Sequence, residues 1–377
     1  MYEVDLTDPA VIADPFTTYD RARDAGPVVR LNIPGMPMWA LTRHDDARAF
    51  LTDPRFAIRA GSFSGILGVP DEYQPYLRTM SEMDGPDHLR LRRLAAPAFT
   101  ARRAQDFRTG VEPIVEKLLA SLPREPDLLR AFAKPLPMLV ICELVGIPEA
   151  DRGDWVEWGA IIASGDGRGL GEAIPGIVDG AKSVVAARPE TGLLADLIRA
   201  EDRMTDTELV TLVWHIVLAG QTPANLIANA IAELWTRPDD LAALRADPSL
   251  LPGAVDELMR WCGPQLLTVP RFATEDVDLQ GVLVKAGEPV TVAIAAANRD
   301  PEVFADPDRF DVRRGAATQL GFGHGPHFCL GAAHARVQTE VALAALLGRG
   351  LILAGEPVRA PDPGTWRLAE LPARLGV

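Results

Sequence analysis

The chain has 377 residues, of which 47% are hydrophobic and 24% charged, and a formal net charge of −14. These are globular values with length enough for a sizeable core, in one large domain or two ordinary ones. The acidic balance argues against a general nucleic-acid binder, which needs a basic footprint, and no apolar run approaches the roughly 20 residues of a membrane span.

The opening MYEVDLTDPAVIADPF is acidic and lacks the basic and apolar segments of a signal peptide, so a cytoplasmic protein without a membrane or nucleic-acid partner is expected. A helix is predicted from about Pro15, and PVVRLNI and MWALT alternate as the arms of a hairpin. A helix-rich block follows over 87–262. Its start, HLRLRRLAAPAFTARR (88–103), carries five arginines and no acid, which predicts a local positive face. The stretch 159–180 holds seven glycines; it is a candidate mobile lid, with an ordinary inter-helix loop as the equal alternative. In the next helix Leu209, Leu212, Val213, Ile216 and Val217 share an apolar face. Near 251–262, Leu251, Val255, Leu258, Met259 and Cys262 form such a face, and the periodicity puts Glu257 and Arg260 on the opposite, solvated side.

Past 262 the texture changes. TVPRF, VDLQGVLV and EPVTVAI read as short strands, a Pro- and Asp-rich loop follows, and a final helix is predicted over 332–348. The expected architecture is one large domain over 1–377, mainly α with a small β portion.

Cys142, Cys262 and Cys329 are far apart and without CxxC spacing, which speaks against a disulfide framework or a structural zinc site. The segment GFGHGPHFCLG (321–331) nevertheless gathers four glycines and two histidines around Cys329. Three uses suit it. Cys329 could be a nucleophile served by His324 or His327. It could join His324, His327 and His334 on zinc, although the spacings lack the paired pattern of zinc sites. It could also be one thiolate on a haem iron, whose porphyrin supplies the other four donors. The glycines would let backbone pass close to a flat macrocycle, and the helix beginning just beyond adds a positive dipole end.

Phe322, Gly323, Gly325, His327, Cys329 and Gly331 stand where the cytochrome P450 haem loop has F-G-x-G-x-H-x-C-x-G, and the segment resembles that loop at every specifying position. The resemblance runs over nearly the whole chain. It implies a single-domain P450 fold with haem b between the long central helix and the helix after the cysteine, and Cys329 as the axial metal ligand. Glu257-Leu258-Met259-Arg260 resembles the family's E-x-x-R pair, which implies burial against the loop before the cysteine, with Arg309 of Pro307-Asp308-Arg309-Phe310 as third member. His88 and Arg92 resemble the H-x-x-x-R that holds haem propionates, and Arg271 and His327 look like further propionate ligands.

One motif departs. Where the family has A-G-x-[DE]-T, this chain reads Ala219-Gly220-Gln221-Thr222-Pro223, with Thr222 in the acid's place and Pro223 in the threonine's. Proline lacks an N–H, so the Ala219 carbonyl loses its helical partner and the helix should kink or open. Pro223 would keep a dioxygen groove open, and Thr222, Gln221 or a substrate hydroxyl with water would relay protons.

The resemblance further implies a monooxygenase using dioxygen and two electrons from a separate ferredoxin and ferredoxin reductase. It would hydroxylate or epoxidise an apolar small molecule in secondary metabolism. The 88–103 arginines with Arg336 would offer the ferredoxin a docking patch. The pocket is expected from 59–80, 159–180, 219–223 and 265–269, with Ile66, Leu67, Val69, Leu266, Leu267 and Val269 giving it apolar walls. The alternatives are an atypical oxidation (C–C coupling, desaturation or rearrangement), a haem-binding protein without turnover, and a thiol hydrolase.

Overall fold

A computed structural model describes residues 1–59, 69–164, 169–200 and 202–376. They form two compact units, each built from separate stretches of sequence: Met1–Arg59 with Asn225–Cys329 and Leu346–Val377, and Ala60–Ala224 with Leu330–Ala345.

The first unit is organised on a six-stranded mixed sheet, ordered Glu3–Asp5, Val28–Asn32, Met38–Leu41, Pro289–Val292, Arg271–Ala273, Phe56–Ala57. The two alternating segments near the N-terminus pair antiparallel as expected, with Val29 opposite Ala40. Successive side chains point to opposite faces, and both faces are covered. Val28, Leu41, Val290 and Val292 pack with Phe50 and Phe56, whereas Val29, Leu31 and Ala40 pack with Tyr19 and Leu266. VDLQGVLV forms its own hairpin, Val277–Leu279 against Val282–Val284. Gln280 and Gly281 both take positive φ there, the backbone that a two-residue hairpin turn requires. Four short strands between Leu351 and Leu375, and the end strands Glu3–Asp5 and Phe56–Ala57, have no counterpart among the expected elements.

The second unit is helical. Helices Pro135–Val145, Arg152–Ser164, Leu170–Ala186 and Asp206–Ala219 surround the fully buried Trp155 and Trp214. The glycine-rich stretch is mostly helix: residues 165–168 lie outside the described residues, and the glycines on either side mark close packing. A Cβ on Gly176 would lie 2.5 Å from the Trp158 ring, one on Gly180 2.7 Å from the Trp155 ring, and one on Gly159 would collide with Met138. These glycines admit large neighbours, and this replaces the mobile-lid expectation for the described part. Helix Asp206–Ala219 opens with a capping box: Glu208 N–H donates to the Thr205 hydroxyl and Thr205 N–H to the Glu208 carboxylate. Taken with the helix that follows, Asp206–Leu234 has the length and mean hydropathy (1.2) of a bilayer span, which the reading of apolar runs missed; 56% of its apolar window is buried inside the protein.

Helix Leu251–Cys262 buries its predicted apolar face and also the opposite one. Glu257 and Arg260 are fully buried and joined by two bonds, Arg260 Nε to Glu257 Oε2 at 2.7 Å and Nη2 to Oε1 at 2.8 Å. Arg260 also donates to the carbonyls of Asn298, Pro307 and Arg309. Glu257 accepts from Asp311 N–H and from Arg314 Nε at 3.0 Å. Two expectations are corrected. The helix face read as solvated is covered by the 298–314 segment, and the third charged member is Arg314. Arg309 contributes only its carbonyl, because its residue is exposed at a turn. Glu257→Gln would leave Arg260 buried beside a neutral amide and should destabilise the haem-loaded protein by about 3 kcal/mol. Denaturant unfolding measures this; an unchanged midpoint would show that the pair is dispensable.

Candidate active site

The cysteine loop is closed by its own backbone. Gly323 N–H donates to the Leu320 carbonyl (2.8 Å), Phe328 N–H to Gly325 (3.0 Å) and Cys329 N–H to Phe322 (2.8 Å). Gly323 and Gly325 take φ of +74° and +72°, backbone that L side chains resist. Gly325 is also pressed against the end of helix His44–Thr52, where a Cβ would lie 2.7 Å from Thr52 Cγ2 and 3.0 Å from the Leu51 carbonyl. The same Leu51 carbonyl accepts from Nη1 of the buried Arg271 at 2.8 Å. Arg271 and the loop are thus fixed by one helix end, and His327 closes the short 3₁₀ turn Gly325–His327. Phe322 is buried and Cys329 exposed. At Gly331 a Cβ would meet nothing within 4 Å among the described residues, so none of them demands a glycine there. Cys142 and Cys262 are buried in the two cores, and burial pushes the Cys142 thiol up to about 12 and the Cys262 thiol up as well.

In the second unit, His88 and Arg92 lie one turn apart on helix Gly85–Ala95, with His88 buried. His215, one of the turns of helix Asp206–Ala219, lies within electrostatic reach of both. Burial above all, then the charges of Arg92 and His88, hold His215 down at about 4. Its Nδ1 is buried and has no hydrogen-bond partner among the described residues. The sequence reading missed this residue: a lone histidine among Val, Trp and Ile carries no signal until the neighbouring helix is known. A cavity of about 300 Å³ reaches His215, walled by Met80, Met83, Leu91, Met204 and Leu212 and edged by Asp87, Arg90 and Glu208.

The central helix breaks where expected. It ends at Ala219, turns through Gly220–Thr222 and restarts with Pro223 as first helical residue. The Ala219 carbonyl accepts only a long bond, 3.5 Å, from Thr222 N–H. Gly220 is required here, since a Cβ would strike the Ile216 carbonyl and lie 2.9 Å from Ile141 Cδ1. Gln221 folds back, its Nε2 donating to the Val217 carbonyl at 3.3 Å and its Oε1 lying 3.1 Å from where a Gly159 Cβ would stand.

Other expected residues are placed elsewhere. The arginines of 88–103 are largely matched by acids: Arg90 pairs with Glu208, Arg93 with Asp202 at 2.6 Å and Arg103 with Asp196 at 3.0 Å. The uncompensated positive face expected from sequence is therefore mostly neutralised. Of the expected pocket residues, Ile66 and Leu67 lie outside the described residues. Val69 belongs to the second unit's core, Leu266 is fully buried in the first unit's core with Leu267 packed against it, and Val269 is 63% exposed.

The model of the cytochrome P450 family matches residues 181–350. The chain is 40% identical over 381 residues to the cytochrome P450 monooxygenase PikC of Streptomyces venezuelae, covering 96% of this chain and 91% of that protein. It is 38% identical over 367 residues to 6-deoxyerythronolide B hydroxylase of Saccharopolyspora erythraea, with 92% and 91% coverage. The solved structure of the P450 monooxygenase TamI bound to tirandamycin C matches with a TM-score of 0.85 and 34% identity over 100% of both chains. The chain belongs to the cytochrome P450 family. It is an oxidoreductase, a monooxygenase of a small molecule using dioxygen, and the family's cofactor is haem b held by a cysteine thiolate.

The side chains fit that group. One exposed thiol suits an iron whose other donors come with the macrocycle, and among the described residues no group of three or more His, Cys, Asp or Glu side chains could hold a bare ion. His334, named as a possible zinc ligand, instead packs against the rings of Phe99, in an edge arrangement, and Phe107, tilted. Burial pushes His334 down to about 4, against 6.5 for an exposed ring. The unfolded chain takes up this proton as pH falls through 6.5 and the native state refuses it until about 4, so stability should fall over that window. His334→Phe should recover about 2 kcal/mol at pH 4.5 relative to its effect at pH 7. Denaturant unfolding at the two pH values checks this, and an equal effect at both would reject a neutral buried ring.

Proposed function

We propose that the protein is a haem-thiolate monooxygenase in which Cys329 is the axial ligand, acting as one catalytic domain over residues 1–377. It hydroxylates or epoxidises an apolar small molecule of secondary metabolism in the cytoplasm, with electrons from a separate ferredoxin and ferredoxin reductase. The observation that carries this reading is the exposed Cys329 in a self-closed loop, beside two cysteines that burial makes inert. When bound, haem activates dioxygen, and thiolate donation favours O–O cleavage.

The chain's own residues have distinct tasks. Phe322 holds the Cys329 backbone through its carbonyl, and Gly323 supplies the turn. His88, Arg92, Arg271 and His327 would supply N–H donors to the haem carboxylates when the group is bound. Glu257, Arg260 and Arg314 do no chemistry and hold the segment that leads into the loop. The relatives' names, 6-deoxyerythronolide B hydroxylase and a P450 monooxygenase bound to tirandamycin C, support a substrate of secondary metabolism.

The reduced protein exposed to carbon monoxide should show the red-shifted Soret band of thiolate ligation, and Cys329→Ala should abolish it. A band at the shorter wavelength of a neutral ligand in the wild type would overturn the assignment.

The helix break favours a second reading, an atypical oxidation such as ring coupling, desaturation or rearrangement. With Gln221 folded back, Thr222 and Pro223 are what remains of the oxygen-activation motif at the break. Pro223→Thr restores an N–H for the Ala219 carbonyl. If Pro223 keeps open the groove that threonine normally holds, product formed per electron should rise, and a fully haem-loaded but inactive variant would count against that role.

A further inference from the structure

We propose that His44 is a positioning residue for the cysteine loop: its ring pins the Thr318 carbonyl, and with helix His44–Thr52 it braces the backbone that carries Cys329. The proposal rests on the monooxygenase reading and adds to it a residue that touches neither the sulfur nor the reacting atoms. The approach to the loop has no regular structure of its own. Between Ala297 and Gly325 the described residues form no helix or strand, so the backbone there is held by bonds reaching in from side chains. Leu320 N–H donates to the Asn298 side chain at 2.7 Å, and Gly321 N–H to the Gln319 side chain.

The Thr318 carbonyl is held by His44, whose Nε2 lies 2.9 Å away. A carbonyl oxygen only accepts, so Nε2 carries a proton. The residue is 1% exposed, and its ring meets Phe304 edge-on with centroids 5.9 Å apart. On the outer side Nδ1 lies 3.4 Å from an oxygen of the exposed Asp45 carboxylate. Water screens that contact, which leaves the inner bond as the one that positions. His334 is the contrast: its Nδ1 is buried with no partner among the described residues, and its ring packs against Phe99 and Phe107.

His44 also starts the helix. Arg43 at the N-cap makes no side-chain cap bond, and His44 N–H donates instead to Asp300 Oδ2 at 2.9 Å, a carboxylate at the positive end of the helix. At the other end the Leu51 carbonyl accepts from Arg271, and Gly325 rests against Leu51 and Thr52. One helix therefore meets the chain ahead of the cysteine twice, at Thr318 and at Gly325, and its rigidity fixes the spacing between them. His324, beside Gly325, lies within electrostatic reach of His44. A residue that fixes a ligand's backbone in this way acts on the metal site without contacting the metal.

Two variants separate the bond from the ring. His44→Phe keeps an aromatic ring against Phe304 but loses the donor, whereas His44→Gln keeps a donor. In the haem-loaded protein, amide hydrogen exchange read by mass spectrometry should run about fivefold faster over 318–325 in His44→Phe, the scale of one hydrogen bond. Helix Asp206–Ala219 is the reference and should not change, since a general loss of stability would speed both. In a fixed low concentration of urea, the reduced carbon monoxide band should shift from its thiolate position to the shorter wavelength of a neutral ligand about fivefold faster in His44→Phe. His44→Gln should shift at the wild-type rate. Unchanged exchange and band in His44→Phe would overturn the proposal, and so would an equal loss in both variants, which would make the ring filler. If His44→Phe does not load haem, the wild type decides: nitrogen-15 spectra of its reduced carbon monoxide form should show a proton on His44 Nε2, and a proton on Nδ1 alone would overturn the assignment. A wild type without the thiolate band would instead count against the monooxygenase reading, and faster exchange over 318–325 in His44→Phe would still support the brace.

Discussion

Two charges with no access to water, Glu257 and Arg260, fix much of the first unit. Removing an ion pair from solvent costs several kcal/mol per ion and is repaid only when the remaining lone pairs and protons find partners. Here they do: the carboxylate accepts from Arg260, Arg314 and the Asp311 N–H, while the guanidinium reaches the carbonyls of Asn298, Pro307 and Arg309. A segment of about fifteen residues with almost no regular structure is thereby held to one helix turn. Asn298 carries the constraint onward, because its side-chain oxygen accepts from Leu320 N–H at 2.7 Å. The Leu320 carbonyl then accepts from Gly323, the first turn of the cysteine loop. The position of Cys329 is therefore set from below by a pair of charges that takes no part in any reaction.

A second support comes from the side. Leu51 packs with Leu320 in one core, and its carbonyl is both the acceptor for Arg271 and the surface against which Gly325 rests. One helix end thus aligns a cationic side chain with the loop. The central helix of the other unit is arranged by similar means. Its break is ascribed to Pro223 by the sequence, yet Ile141 occupies the space where a Gly220 Cβ would go and Gln221 packs over Gly159. The opening is built by two neighbouring helices as well as by the missing N–H.

How much of this is legible in the sequence depends on whether the signal is local. The turns of the cysteine loop are legible, because Gly323 and Gly325 stand where the backbone takes positive φ, whereas the use of its sulfur rests on the resemblance. The hairpin at Val28–Leu41 and the strands at Arg271–Val292 are legible because alternation survives when two sheet faces are packed differently. Short end strands such as Phe56–Ala57 and Val358–Arg359 are not, since two or three residues become a strand only through a distant partner. The burial of Glu257 is invisible to periodicity for the same reason and is implied only by the resemblance: a helix's periodicity describes its own faces and says nothing of the segment that will cover one. Arg309 is named by the resemblance alone, and the part played by Arg314, five residues on, depends on a loop path that only the tertiary structure sets. The glycines of 159–180 misled differently. Glycine permits either freedom or close approach, and Trp155 and Trp158 decide between them.

Burial also sorts the titratable groups, and this bears on which of them can act. Cys142 and Cys262 would each place an uncompensated charge in a core, and burial raises both thiols accordingly. The two histidines at about 4, His215 and His334, are kept neutral by the same desolvation, but their settings differ. His334 is edged by phenylalanine rings, where a neutral imidazole is filler. His215 ends a polar line that opens into a cavity. Desolvation alone therefore does not mark a functional group. What separates the two rings is the cavity that Thr207, Glu208 and Thr211 line together with His215, and that depends on the helix face each ring occupies.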